Sequence, residues 1–249
     1  AELRGDINSH ESKSGAFSFG GDISDDLAAS LMFGHEDKTS GADKDSLEQS
    51  YLLGRASSEP TEDLFLDWVF FRVDGDARGF PEDSGGDRLA VIRDPEKRDF
   101  RLEAFGLNGE WDLADRMMLK GSTSWPSHRE KADNPGIAAG VWDAVPAVSG
   151  KRTFDRLDGQ LYLLAQPTNE FSVTAGLAYD REEGTSDDLI DFGEFTVPAD
   201  FDLTRPSWSL FTELAYRPRP HLTLQSGLRH DMPEIWQQTD GGITHFVAS

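Results

Sequence analysis

Six histidines, at positions 10, 35, 128, 221, 230 and 245, and 46 acidic residues are the groups in this 249-residue chain able to act as acids, bases or metal ligands. Their spacing matches no catalytic pattern. His35-Glu36 lacks the second histidine one helical turn on that a zinc hydrolase needs. No phosphate-cradling loop, dinucleotide glycine pattern or Gly-x-Ser-x-Gly elbow occurs. No twelve-residue calcium loop with its glycine and closing glutamate is present. There are no cysteines, which removes thiolate metal sites and disulfides. Catalytic residues, metal ligands and cofactors are therefore not expected. Arg4-Gly5-Asp6 has the form of an adhesion tripeptide, a pattern short enough to arise by chance.

Binding chemistry is better represented. Trp125, His128, Arg129, Trp142 and Trp236 set aromatic faces beside hydrogen-bond donors, the mixture used by small-ligand pockets. Each lies in or beside a long polar stretch. Ordinary loop packing also accounts for any one of them. Between Asp180 and Asp202 nine carboxylates face a single base, Arg181. That stretch reads either as a solvated surface or as an attractor of cations.

These residues hang on a regular rhythm. Amphipathic runs of about ten residues come in pairs, joined alternately by a tight turn and a long polar stretch. The tight turns are Ser24-Asp26, Glu59-Asp63, Leu113-Asp115, Gln166-Asn169 and Arg217-Pro220; the long stretches lie near 36–47, 74–98, 126–151, 181–205 and 231–243. About ten strands follow, near 12–22, 27–36, 47–57, 64–74, 98–111, 116–125, 152–165, 170–181, 206–217 and 221–230, and Ile243–Ala248 offers the start of another. Period-two alternation divides most of them into two faces. In 171–179, Phe171, Val173, Ala175, Leu177 and Tyr179 oppose Ser172, Thr174, Gly176 and Ala178. In 208–216, Trp208, Leu210, Thr212, Leu214 and Tyr216 oppose Ser209, Phe211, Glu213 and Ala215. Arg156, Asp158, Glu213 and Arg229 fall on the polar side, where wall hydrogen bonds or contacts to an inner domain are expected of them. Run 64–73 is apolar on both faces apart from Asp67 and Arg72, and 47–56 fits two registers. Run 100–111 changes parity, which a β-bulge near Ala104-Phe105 would produce.

Short turns at one end and long connections at the other mark an antiparallel up-and-down transmembrane β-barrel. Aromatic residues at the strand ends, such as Trp208 with Tyr216 and Phe171 with Tyr179, suit interfacial girdles, although cross-strand packing explains any single pair. Hydrophobic content is only 37% and mean hydropathy is -0.52, lean for a soluble core of this size but natural where one face meets lipid and the other water. A net charge of -22 with scattered bases argues against a nucleic-acid partner. No apolar run reaches the ~18 residues of a membrane helix.

The wording of several hairpins resembles TonB-dependent outer-membrane receptors. The segments are GGDISDDLAASLMFGHEDKTSG (20–41), EAFGLNGEWDLADRMMLKGSTSW (103–125), FSVTAGLAYDREE (171–183) and SWSLFTELAYRPRPHLTLQSGLRHD (207–231), in the family's order. The resemblance implies an outer-membrane location, short periplasmic turns and long extracellular loops. It implies uptake of a scarce solute such as a ferric siderophore or cobalamin, energised through TonB. The family's plug and TonB box have no counterpart among these residues, and its barrel has about 22 strands. The chain is therefore read as one partial barrel domain, residues 1–249. Two alternatives stay open: a complete ten-stranded barrel acting as a protease or lipid-modifying enzyme, with His35, His128 and His230 near the loop rim, and a soluble β-sandwich adhesin.

Overall fold

The computed structural model describes residues 1–7, 12–39, 45–82, 84–139, 143–239 and 242–247, with backbone alone from residue 234 on. Twelve strands make one sheet: β1 (Glu2–Ile7), β2 (Lys13–Ser24), β3 (Leu27–Thr39), β4 (Ser46–Thr61), β5 (Leu64–Gly79), β6 (Glu96–Ala114), β7 (Met117–Asn134), β8 (Ala147–Ala165), β9 (Phe171–Asp191), β10 (Thr196–Arg219), β11 (Leu222–Thr239) and β12 (Gly242–Val247). Each pairs antiparallel with the next, in chain order from β1 to β12. A single helical turn, α1 (Gly86–Leu89), sits in the β5–β6 connection.

The ten expected strands are all present, flanked by β1 and β12. Four of the five tight turns carry a register shift on the adjoining strands, between Asp22 and Ser24, Ser58 and Thr61, Asp112 and Ala114, and Tyr216 and Arg219. Such bulges sharpen the twist where strands reverse.

The long polar stretches are loops only in part; non-strand residues remain between β5 and β6 and between β7 and β8. Their arms continue as paired strand, so that β9 and β10 stay in register from Tyr216/Phe171 to Thr196/Asp191. Above the membrane both faces meet water, so pairing persists after the hydrophobic alternation has gone. Alternation is the signal that sequence reading follows, which is why these extensions were unreadable. The acidic run from Asp180 to Asp202 is one such hairpin.

The bulge expected at Ala104-Phe105 is absent. β6 keeps one register against β5 from Gly79/Glu96 to Leu64/Trp111, and against β7 across the same region. The parity change has another cause. In the lower half Phe105, Leu107 and Trp111 lie on one face; in the upper half that face carries Arg101 and Glu103, and the apolar Phe100, Leu102 and Ala104 occupy the other.

Continuous registers join the outward-facing positions of β3 through β11 into one surface. Phe33 pairs with Leu52, Phe70 with Phe105, Phe105 with Trp125, Leu161 with Leu177 and Leu177 with Leu210. The ambiguous 47–56 run is thereby fixed, with Leu52, Gly54 and Ala56 on this face. Nothing covers it. Ala90 is the one buried hydrophobic residue among those described, while Phe33, Trp208 and Leu210 are 52%, 50% and 55% exposed. A soluble sandwich would bury such a belt against a second layer. Among the described residues this sheet has no second layer, and an uncovered apolar surface of this extent needs lipid.

The belt approaches the apolar band of a transmembrane barrel, about 25 Å tall. The nine residues Trp208–Tyr216 rise about 26 Å along the strand, or about 20 Å across a bilayer once tilted by roughly 40°. Aromatic residues mark both edges. Tyr179 and Trp208 meet at the long-hairpin edge with ring centroids 4.5 Å apart and planes tilted by 43°, and Phe171 pairs with Tyr216 at the turn edge.

Candidate functional site

The opposite face is polar, and its side chains are bonded to one another. Arg156 is the hub. Its Nε and Nη2 donate to Asp158 Oδ1 at 2.9 and 2.6 Å, and it pairs with Asp180 at 3.0 Å and Glu182 at 3.4 Å. Glu182 in turn accepts Arg205 at 2.7 Å, and the Ser124 hydroxyl donates to Asp158 at 3.3 Å. On β10 and β11, Arg229 donates to Asp231 at 2.7 Å and to Ser209 Oγ at 2.9 Å, while Ser209 donates to Asp231 at 2.5 Å. Ser124, Arg156, Asp158, Asp180, Ser209, Arg229 and Asp231 line a depression of about 760 Å³. Adjacent strands supply alternate residues, so the charges fall opposite one another by register alone: Asp158 faces Asp180, and Arg156 faces Glu182.

A second ladder crosses β6 to β9 higher up. Glu96, Arg98, Glu130, Arg152 and Asp188 follow one another, with contacts of 2.7 Å (Arg98–Glu96), 3.9 Å (Arg98–Glu130), 3.8 Å (Arg152–Glu130) and 3.0 Å (Arg152–Asp188). Between the two charged tiers lies a row of different chemistry. Val73, Leu102, His128, Phe154, Gly184 and Leu203 are successive register partners across six strands. Phe100 and Phe201 stand in the next row up, and Leu102, Phe154 and Phe201 are 36%, 41% and 45% exposed. The polar face thus has an apolar, partly aromatic band near its long-hairpin end, containing one histidine and bounded by ion pairs. Such a surface can hold a large, partly apolar solute while offering donors and acceptors at its rim.

The sequence-derived ligand candidates do not form one cluster. Trp125 is 44% exposed on the apolar belt, in register with Phe105. Arg129 is exposed on that same face, four residues further up the strand. His128 is half-buried on the polar face, between Leu102 and Phe154. Trp142 lies outside the described residues. Trp236 belongs to β11, in register with Thr204. Arg156, Asp158, Glu213 and Arg229 share the polar face, the first two directly bonded. The aromatic band was not found from sequence. Its signal was the parity change in 100–111, which marks where a strand leaves the membrane and its apolar side changes face.

On the belt-side face, just above the belt on β5 and β6, Arg72 pairs with Glu103 at 3.1 Å. Arg72 also donates to Asp74 Oδ2 at 2.6 Å, as Arg101 does to Asp74 Oδ1 at 2.6 Å. These hydrogen bonds, that from Arg72 first, hold the Asp74 carboxyl below its ordinary range. Two residues on, Asp76 shares a hydrogen bond with its register partner Asp99, and its affinity for a proton is raised.

Solved structures of this architecture include import receptors for ferric chelates. The ferric-catecholate import receptor Fiu of Escherichia coli matches with a TM-score of 0.72 at 14% identity, over 94% of this chain and 41% of its own. The ferric preacinetobactin receptor BauA of Acinetobacter baumannii matches at 0.73 and 13%, over 99% and 43%. The ferripyoverdine receptor of the outer membrane of Pseudomonas aeruginosa matches at 0.70 and 16%, over 99% and 38%. The fold is that of outer-membrane β-barrels. In that fold the apolar belt faces lipid and the polar face is the inner wall. The chain spans about two-fifths of the length of these receptors. No protein-family model and no curated protein sequence matches it.

Proposed function

We propose that these twelve strands are part of the barrel of a larger outer-membrane transport receptor, one that takes up a scarce, bulky solute such as a ferric siderophore or cobalamin with energy delivered through TonB. The single observation that carries this reading is the inner wall. Its upper band of Phe100, Leu102, His128, Phe154 and Phe201 offers a broad, partly aromatic surface at the end where an external solute arrives. Below it the Arg156 and Arg229 networks give a fixed polar lining, suited to water and to a plug that slides against it. The likeness to import receptors for three ferric chelates supports the same reading. In it Trp125 is an interfacial anchor, His128 a wall contact for solute, and Trp236, on β11, remains a candidate ligand contact; Trp142 lies outside the described residues. The protein works by binding and release, without covalent chemistry.

The test is uptake by cells carrying the full gene. Ferric catecholate, ferric hydroxamate and cobalamin, each radiolabelled, are supplied with and without a protonophore. Accumulation of one of them above the external concentration, abolished by the protonophore, is expected. Equal accumulation of all three regardless of the proton gradient would identify a passive pore and sink the proposal.

A further inference from the structure

Charge enters the aromatic band of the inner wall at one place. Gly75, Phe100, Glu130, Arg152, Ser186 and Phe201 are successive register partners from β5 to β10. Glu130 and Arg152 therefore stand between two rings of the band, and a solute broad enough to rest on both rings lies over them. A carboxylate beside apolar groups is costly unless its charge is matched. Glu130 is matched on two sides, with Oε2 3.9 Å from Arg98 Nε and Oε1 3.8 Å from Arg152 Nη1.

The two guanidiniums are matched in turn. Arg98 meets Glu96 at 2.7 Å and Arg152 meets Asp188 at 3.0 Å. Three carboxylates thus hold two bases, and the ladder keeps one net negative charge. The Arg98 and Arg152 side chains are 49% and 51% exposed, against 14% for Glu130. Both bases are within reach of a solute, but their charge is already neutralised inside the wall. Neighbouring bases repeat the pattern. Lys38, in the same row as Arg98, meets Glu36 at 2.6 Å, and Arg205 meets Glu182 at 2.7 Å. Among the described residues, each base of the inner wall around the band has a carboxylate partner. The chain as a whole adds a net charge of -22, a field that repels anions.

We propose that Glu130 is the charge filter of the solute surface: by neutralising Arg98 and Arg152 within the aromatic band it turns away polyanionic chelates, and the receptor takes an electrically neutral, partly apolar chelate. A neutral chelate meets aromatic faces and matched charges there. A trianion meets the same faces with no cation left to receive it. Removing one negative charge about 8 Å from a bound trianion strengthens its binding about tenfold in water at low salt.

The inference rests on the transport reading and deepens it. It is tested on the full-length protein in mild detergent at about 10 mM salt, with binding read from quenching of tryptophan fluorescence. The probes are the neutral ferric trihydroxamate and the trianionic ferric triscatecholate built on one tripodal scaffold. The parent protein is expected to bind the neutral chelate about tenfold or more tightly than the trianion. In Glu130→Gln the trianion is expected to gain about tenfold while the neutral chelate keeps its affinity, whereas a merely structural defect would weaken both. Asp188→Asn releases Arg152 from its other carboxylate and is expected to shift the trianion in the same direction. It carries the test if Glu130→Gln does not fold. Glu110→Gln removes the same charge beside Lys120, ten residues below Phe100 on β6, and is expected to change neither affinity. Tighter binding of the trianion by the parent, no gain for the trianion in the folded variants, or an equal gain in Glu110→Gln would overturn the filter. Heat-modifiable migration reports the folding of every sample. Saturable binding of either chelate leaves the transport reading intact whatever the ranking, whereas a folded parent that binds neither removes that reading and the filter together.

Discussion

Replacing Ala175 by arginine separates a lipid-facing belt from a merely exposed surface. Ala175 sits midway along the belt on β9, between Leu163 and Thr212 in register, and is exposed. In water an arginine there would project freely, and stability would change by no more than about 0.5 kcal/mol. In a bilayer the same side chain lies near the midplane of a transmembrane barrel, where a basic residue costs about 2–4 kcal/mol. At about 1.4 kcal/mol per decade, that lowers the folded-to-unfolded ratio roughly 30- to 700-fold. The control is Thr174→Arg. It is one residue away at nearly the same depth, but on the inner face beside Glu213, where a positive charge is solvated and paired. The assay is reversible denaturant unfolding of the full-length protein in phosphatidylcholine vesicles, followed by tryptophan fluorescence. A large loss for Ala175→Arg with little change for Thr174→Arg is expected. Equal effects of the two variants, or no effect of Ala175→Arg, would refute the assignment of faces.

Three further outcomes follow from the inner wall and from the carboxylates just above the belt on β5 and β6. Arg156→Met should cost about 1 kcal/mol in vesicle unfolding, because the hub is partly solvated and its pairs are worth what exposed networks are worth; adding Asp180→Asn should restore part of the loss, and a double variant worse than the single would contradict the network. Gly75→Val should weaken solute uptake with a stability cost of about 1 kcal/mol, because a Cβ at Gly75 would lie 2.5 Å from Phe100 Cζ and must push that ring out of the aromatic band; unchanged affinity would remove Phe100 from the solute surface. Asp74 and Asp76 should respond to pH in opposite senses. Asp74, depressed by Arg72 and Arg101, contributes stability above the unfolded carboxylate range that is lost as pH falls through its lowered value. Asp76, raised by Asp99, contributes stability below that range that is lost as pH rises through its higher value. Thermal midpoints across about pH 3 to 7 should therefore lose their rising component in Asp74→Asn and their falling component in Asp76→Asn; identical profiles for both variants would refute the assignment.

The membrane-crossing part of the sheet was legible in the sequence for a physical reason. A strand with lipid on one side and water on the other must alternate, so Phe171 to Tyr179 and Trp208 to Tyr216 declared their faces outright. The tight turns declared the other boundary through Asp, Pro and Asn. Legibility failed where that constraint stops. Above the belt neither face of Glu182–Asp191 or Thr196–Arg205 is required to be apolar, so strand and loop look alike, although register pairs hold to Thr196/Asp191. The same boundary turned the parity change in β6 into a supposed bulge. It also misgrouped the ligand candidates. Trp125 and Arg129 differ by an even number of residues, so they share a face that His128 cannot share, and strand parity alone separates them. The hub at Arg156 was visible as a polar-side residue, but its partners come from neighbouring strands and depend on registers that alternation leaves open.

The central claim is that a single sheet presents one face to lipid and the other to a water-filled interior. It is tested most directly by nitroxide labels placed singly at each position from 171 to 181 of the full-length protein in vesicles, reading collision with oxygen, which concentrates in lipid, against collision with a water-soluble nickel chelate. The account predicts strict alternation, with oxygen favoured at 171, 173, 175, 177 and 179 and the nickel chelate favoured at 172, 174, 176 and 178, the alternation fading beyond 180. Uniform access of the nickel chelate to both sets, or exclusion of both probes from the odd positions, would contradict it.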